Sequence, residues 1–221
     1  MADLSATYRE AMRKHPQGYA LYTPQPSKIL KPGMCGYLDE RRIWKPIIDL
    51  TLGNDVLKAA GYTAVGPLQR RDPEISWWDP KEASTVSRNQ VELEAEAGAA
   101  ATGLPIDAEI AVSYSSTVGF GAVLFCEKEV VMEAFDHKDP FRAWLKENAV
   151  TILKNLPGVR DLGVYVVTST HSCEDISIVA WDEPSVEVTL GFKVGAELVG
   201  KLGPKVSWMR GRSSKAWEHH V

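Results

Sequence analysis

Between His171 and Asp175 the sequence reads His-Ser-Cys-Glu-Asp, which places a base, two nucleophiles and two carboxylates in five consecutive positions. Such a set does hydrolytic chemistry only when base, nucleophile and orienting acid converge on one point. Neighbours along a strand alternate faces and do not converge, so this segment reads as a polar connection between strands. Gly119-Phe120-Gly121 lacks the third glycine and the following helix of a dinucleotide-binding turn. Cys35, Cys126 and Cys173 form no CxxC pair, which argues against a zinc ribbon or a thioredoxin-like site. Their odd number and scatter fit a reducing interior better than a disulfide framework. His219-His220 stands too isolated to hold a metal, and Trp77-Trp78 reads as packing rather than a stacking platform. The expectation is a non-enzymatic chain with no cofactor and no metal, an enzyme centred on 171–175 being the rival.

Positioning such groups falls to the surrounding elements, and composition bounds what those are. The chain has 221 residues, 44% hydrophobic and 24% charged, with 25 Lys+Arg against 29 Asp+Glu and a net charge of −4. These proportions are globular, and without a basic excess a nucleic-acid partner is not expected. The longest unbroken apolar run, Ala122–Cys126, is far below the ~18–20 residues of a spanning helix. Met1-Ala2-Asp3-Leu4-Ser5 lacks the apolar core of a signal peptide, so a cytoplasmic protein is expected. Residues 1–15 read as an amphipathic helix with Leu4, Tyr8, Ala11 and Met12 on one face and Arg9 and Arg13 beside it. Tyr19–Tyr22, Cys35–Asp39 and Ile43–Leu50 read as strands, the last two joined by Glu40-Arg41-Arg42. Asn54 reads as the cap of a short helix that ends at Gly61. A longer helix over 139–156, capped by Asp139 with Pro140 next, has the stripe Phe141, Trp144, Leu145, Ile152 and Leu156.

The strongest pattern begins at Val91. Val91, Leu93, Ala95 and Ala97 alternate with Glu92, Glu94, Glu96 and Gly98. After a turn-rich stretch, Ile106, Ala108, Ile110, Val112 and Tyr114 alternate with Asp107, Glu109, Ala111, Ser113 and Ser115, and the pattern continues through Val118, Phe120, Ala122 and Leu124. At about 3.3 Å per residue this second run would extend roughly 60 Å, against a usual strand of about five or six residues. A second block, 164–198, ends in Val186, Val188, Leu190, Phe192, Val194, Ala196 and Leu198 alternating with Glu187, Thr189, Gly191, Lys193, Gly195 and Glu197. Charge is segregated as well: residues 91–127 hold six acids and no Lys or Arg, and 201–215 hold five basic residues and no acid. An alternating strand normally covers a core on one side and meets water on the other. In a bilayer the same pattern over about 9–11 residues makes a barrel strand, and the four such strands available here would need many chains to close a pore.

The run Val91–Leu124, with its Gly-rich turn and Val112-Ser113-Tyr114-Ser115-Ser116-Thr117, resembles the first membrane hairpin of the gasdermin pore-forming domain. Gly163-Val164-Tyr165-Val166-Val167-Thr168 resembles the opening of that family's second hairpin and Ile176–Leu198 its continuation. The helices and the strands over 19–50 fall in matching order. The resemblance covers nearly the whole chain and is nearest to the short fungal gasdermins of allorecognition, or heterokaryon incompatibility.

That resemblance implies a single α+β domain over 1–221, with a twisted, mostly antiparallel sheet, flanking helices and two long amphipathic β-hairpin regions. The first hairpin region spans 91–125 and the second 164–198, with the helix 139–156 between them and a basic segment over 201–221 after them. The hairpins would become barrel strands on oligomerisation. It implies a cell-death effector, cytoplasmic when inactive, that assembles on acidic phospholipids of the plasma membrane or another acidic-lipid membrane. Val91, Leu93, Ile106, Ile110, Val112, Val118, Phe120 and Leu124 would face lipid in the first hairpin, and Val186, Val188, Leu190, Phe192 and Val194 in the second. Glu92, Glu94, Glu96, Asp107 and Glu109 would line an acidic lumen. Arg9, Arg13 and Lys14 on the helix, and Arg41, Arg42 and Lys45 near Trp44, would meet lipid headgroups, with Asp3 and Glu10 diluting the helix's charge. Unlike two-domain gasdermins, this chain is expected to work without an inhibitory C-terminal domain or a cleavable linker. The implied control is therefore homo- or hetero-oligomerisation with a divergent variant of the same protein. A non-inserting β-rich interaction module remains the second rival.

Overall fold

Period-two alternation and two helical runs account for most of the observed elements. The computed structural model describes residues 4–13, 15–92, 110–116, 119–182, 187–194, 206–209 and 218–220. In chain order these form α1 (Leu4–Met12), β1 (Met34–Leu38), β2 (Trp44–Asp49), α2 (Asn54–Ala59), β3 (Glu74–Ser76), β4 (Lys81–Glu82), β5 (Val86–Glu92) and β6 (Ile110–Ser116). There follow β7 (Gly121–Cys126), β8 (Val130–Ala134), α3 (Asp139–Asn155), β9 (Tyr165–Val166), β10 (Ser169–Ser172), β11 (Ile176–Trp181), β12 (Glu187–Val194), β13 (Val206–Met209) and β14 (Glu218–His220). The fold is α+β with antiparallel strand pairing. The chain divides into two compact units built from interleaved stretches, residues 1–22, 77–130 and 173–221 in the first and 23–76 and 131–172 in the second.

The first unit contains two four-stranded sheets among the described residues, ordered β14-β11-β7-β4 and β13-β12-β6-β5. Val123, Phe125, Val179 and Trp181 of the former pack against Val112, Tyr114 and Val188 of the latter, so the two sheets form a sandwich. The other face of the β7–β11 pair carries Ala122, Ile178 and Ala180, which meet Tyr8, Ala11 and Met12 of α1. A sheet covered on both sides needs apolar residues at consecutive positions. Gly-Ala-Val-Leu-Phe-Cys in β7 and Ile-Ser-Ile-Val-Ala-Trp in β11 meet that requirement.

In the second unit, β2-β1-β9 and β10-β8-β3 form two small sheets. Its core gathers Cys35, Leu50, Leu57, Val65, Phe135, Phe141, Trp144, Ile152 and Val159. Asn148, 1% exposed, occupies the middle of the buried face of α3. Its Oδ1 accepts the Thr63 N–H at 2.9 Å, and its Nδ2 donates to Thr63 Oγ1 at 2.7 Å and to the Trp144 carbonyl at 2.8 Å. The Trp144 indole N–H donates to the Thr63 carbonyl at 2.9 Å. The irregular segment after α2 is thereby pinned to α3 with its buried polar groups paired, as burial requires.

Several expectations are corrected here. Tyr19–Tyr22 is not a strand, and Ala20 and Tyr22 pack against the α1 cluster. Gly53, not Asn54, is the N-cap of α2. The Asn54 side chain reaches across to the Val65 backbone, accepting its N–H at 2.9 Å. The stop at Gly61 holds: its φ of 82° and the bonds Gly61 N–H to Lys58 and Tyr62 N–H to Leu57 make a Schellman ending. Lys138, not Asp139, is the N-cap of α3, and Leu156 lies past its end, 36% exposed. The long run 106–124 is not one strand in this conformation. Gly119, at φ 89°, falls between β6 and β7, which join different sheets. Within the first region β5 and β6 do pair as an antiparallel hairpin. The described strands of 164–198 do not pair with one another: the four are dealt to four sheets, β11 pairing with β7 and β14, and β12 with β6 and β13. Segment 201–221 supplies β13 and β14, one edge strand to each sheet of the sandwich. Its basic residues Lys201, Lys205, Arg210, Arg212 and Lys215 lie outside the described residues.

A Cβ added at Gly121 would run into the Trp181 indole directly opposite it on β11. Gly121→Val is therefore expected to destabilise the protein by about 1–3 kcal/mol or more through overpacking. Gly158→Ala, where an added Cβ meets nothing within 4 Å, should stay within about 0.5 kcal/mol. Urea midpoints of the two variants check this, and equal midpoints would remove the β7–β11 contact from its central place.

Candidate functional site

The sheet β13-β12-β6-β5 sorts its residues into two rows by register. Ile110, Val112 and Tyr114 of β6 stand opposite Phe192, Leu190 and Val188 of β12, and Phe192 and Val194 stand opposite Trp208 and Val206 of β13. The alternate row pairs Ala111, Ser113 and Ser115 with Gly191, Thr189 and Glu187, and Lys193 with Ser207. Paired residues share a face of a sheet, so one row is apolar across three strands and the other small or polar. Val112, Tyr114 and Val188 are fully buried in the sandwich.

This register revises the expected facing. Val91 stands opposite Ala111, and Glu92 opposite Ile110. Val91 therefore belongs to the row of Ser113, while Glu92 shares the row of Ile110 and Val112, one residue out of step with the sequence expectation. Phe120 and Leu124 pack against the α1 cluster, in a different layer from Val112 and Val188. Leu93, Glu94, Glu96, Ile106, Asp107, Glu109, Val118 and Val186 lie outside the described residues. Sequence reasoning missed that the strand opens at Val86, bringing Arg88 opposite Tyr114 and Gln90 opposite Val112. It also missed Val206 and Trp208, whose only signal was the short alternation Val-Ser-Trp-Met.

The basic residues form two sets in different compact units. On α1, Arg9 Nη1 donates to Ser5 Oγ at 2.9 Å, and Arg13 lies 3.6 Å from Glu10. The apolar face of this helix is spent on the sandwich, leaving its polar face outward. Lys14 lies outside the described residues. In the turn between β1 and β2, Arg41 and Arg42 are exposed, and Arg42 holds φ 62°. Asp39 organises that turn. The Ile43 N–H donates to its Oδ1 at 2.8 Å and holds the carboxyl below the usual range, burial opposing and Lys45 at 3.5 Å assisting. Lys45 is thus partly neutralised, and Arg41 and Arg42 carry the outward charge.

His171 and Ser172 are successive residues of β10, opposite Met132 and Val131, and Ser172 Oγ is turned to the Val131 carbonyl at 3.4 Å. Burial lowers the basicity of His171, with Glu74 opposing. Trp77 is 46% exposed, and Lys81 sits 5.1 Å above the Trp78 ring. Among the described residues no group of three or more His, Cys, Asp or Glu could hold a metal, and no helix is long and apolar enough to cross a membrane.

Comparison with family models, with curated proteins and with solved structures returns no match to this chain.

If the β1–β2 turn meets acidic lipid, each basic residue there contributes about 1 kcal/mol. Arg41→Ala with Arg42→Asn, which keeps a residue tolerant of positive φ, should weaken binding to phosphatidylserine vesicles roughly thirtyfold. Lys45→Ala, already paired with Asp39, should weaken it less. Vesicle sedimentation at low salt measures both, and undiminished binding by the double variant would place any lipid contact elsewhere.

Proposed function

We propose that this chain is a pore-forming protein of the gasdermin kind, not an enzyme. It rests in the cytoplasm and assembles on acidic phospholipid with copies or a divergent variant of itself. In the fungal setting that the resemblance implies, the outcome is cell death on contact between unlike partners. The observation that carries this reading is the two-row sheet. β6 and β12 pair so that Ile110–Phe192, Val112–Leu190 and Tyr114–Val188 make an apolar row, and small or polar residues make the other. A lipid-facing barrel wall has that pattern, and a soluble precursor must hide the apolar row, as the sandwich does for Val112, Tyr114 and Val188. The spanning segments would be β6 and β12 with the alternating residues that flank them, and Arg41 and Arg42 would supply attraction to headgroups.

A second reading, a β-sandwich interaction module that never inserts, is favoured by one observation: the β5 residues in line with the apolar row of β6 are Arg88, Gln90 and Glu92, opposite Tyr114, Val112 and Ile110. Release of dye from vesicles with and without phosphatidylserine, for the chain alone and mixed with a divergent variant, separates the two. Pore formation predicts release from the acidic vesicles, with matched cationic solutes leaving faster than anionic ones. In a Cys173→Ser background, an environment-sensitive fluorophore placed singly at positions 189 to 193 should brighten at every second position on acidic vesicles. Water-like emission throughout, with intact vesicles, would establish the module instead.

A further inference from the structure

The sandwich unit contains a pair of thiols that the proposed function does not use. Cys126 ends β7, opposite Ile176, the first residue of β11. The connection entering β11 folds back along the residues after Cys126: the Glu127 N–H donates to the Asp175 carbonyl at 2.8 Å, and Lys128 Nζ meets Glu174 at 3.0 Å. Cys173 lies in that fold, with Sγ 3.1 Å from the Asp175 carbonyl and 3.4 Å from that of Lys128. The Cys126 and Cys173 side chains stand beside each other, and both are free thiols. Cys126 is buried, whereas Cys173 is partly open to solvent.

We infer that Cys173 is a peroxide-reactive thiol and Cys126 its resolving partner, so that oxidation closes a Cys126–Cys173 disulfide between the end of β7 and the entrance of β11. The Cys173 thiolate attacks the O–O bond of a hydroperoxide, keeps one oxygen as sulfenic acid, and the leaving hydroxide takes a proton to become water. The Cys126 sulfur then attacks the Cys173 sulfur, the S–O bond breaks, and the departing hydroxide leaves with the Cys126 proton as a second water. Two electrons pass from the two thiols to one peroxide, and a small thiol reverses the bond by exchange. The sulfurs are already neighbours, so closing to the ~2 Å of a disulfide needs no change of pairing partner. The neighbouring Cys126 thiol brings the Cys173 thiol down to about 6, toward the thiolate that reacts. Cys126, beside that sulfur and buried, is pushed far above the ordinary thiol range. Cys35, fully buried in the other unit and pushed up by burial to about 12, is the built-in inert reference.

Site-resolved alkylation and peptide mapping of the full chain test this. With iodoacetamide, Cys173 should be modified with a midpoint near pH 6 while Cys35 in the folded chain stays unmodified. Cys126→Ala should move the Cys173 midpoint up toward the ordinary ~8.5, a shift that lost packing alone would not produce. Limiting hydrogen peroxide on the wild type should yield one intramolecular peptide pair joining Cys126 to Cys173, released by dithiothreitol. With Cys126→Ala or Cys126→Ser, a Cys173 sulfenic acid trapped by dimedone should replace it. Direct over-oxidation of wild-type Cys173 without the linked pair would overturn the inference, as would alkylation of Cys35 as fast as Cys173. The wild-type arm requires no variant to fold.

Discussion

The antiparallel ladder between β7 and β11, six residues on each side from Gly121–Trp181 to Cys126–Ile176, is the constraint on which the sandwich unit rests. It is covered by α1 on one face and by the β5–β6–β12–β13 sheet on the other. Its residues consequently cannot alternate apolar with polar, and space for Trp181 exists only because Gly121 carries no side chain. Remove this ladder and α1 loses the surface for Tyr8 and Met12, while Val112 and Val188 lose their opposing layer. The two thiols at its end stand together because the ladder brings Cys126 to the entrance of β11.

The same burial bears on how the apolar row could meet lipid. Each of Val112, Tyr114 and Val188 is 0% exposed. Burial of a large apolar side chain stabilises by about 1.5–3 kcal/mol, so the three together approach the ~5–15 kcal/mol that holds a typical domain folded. Turning this row outward is therefore no local swing of a hairpin. It amounts to dismantling the sandwich, with the bilayer and neighbouring copies replacing the core. Such a protein would be silent by default and would need a partner or surface able to supply that much free energy at once.

Much of this was legible in the sequence, and the failures have a common cause. Period two located β6 and β12, and the 3.6-residue stripe with its Pro-Gly stop located α3. β1 and β2 were found within a residue at each end, because Glu40-Arg41-Arg42 marks their turn. What the pattern lacked was the identity of each strand's partner. Alternation says that a strand has two faces, not which strand lies beside it, so 91–125 and 164–198 read as two hairpins; β5 and β6 do pair within the first, whereas β6 with β12 and β7 with β11 pair across the blocks. The parity slip between Val91 and Val112 arises likewise, since register is set across the sheet and the connection between those strands can hold any number of residues. Asn148 was passed over because an amide in an apolar stripe betrays nothing until Thr63 stands opposite it. Cys126 and Cys173, 47 positions apart in sequence, became a pair only through the ladder.

The interleaving of the two units sets an order of birth. The chain passes from one unit to the other four times, and the second unit holds all its segments once Ser172 has been made. The first is still incomplete, because β7 waits fifty to sixty residues for its register partners in β11. At about 5–20 residues per second of synthesis, that strand, apolar on both faces, has only β4 beside it and keeps its other edge open for roughly 3–12 seconds. A central strand born early and paired late thus leaves one edge of the sandwich unit open while the rest of that unit is still being made.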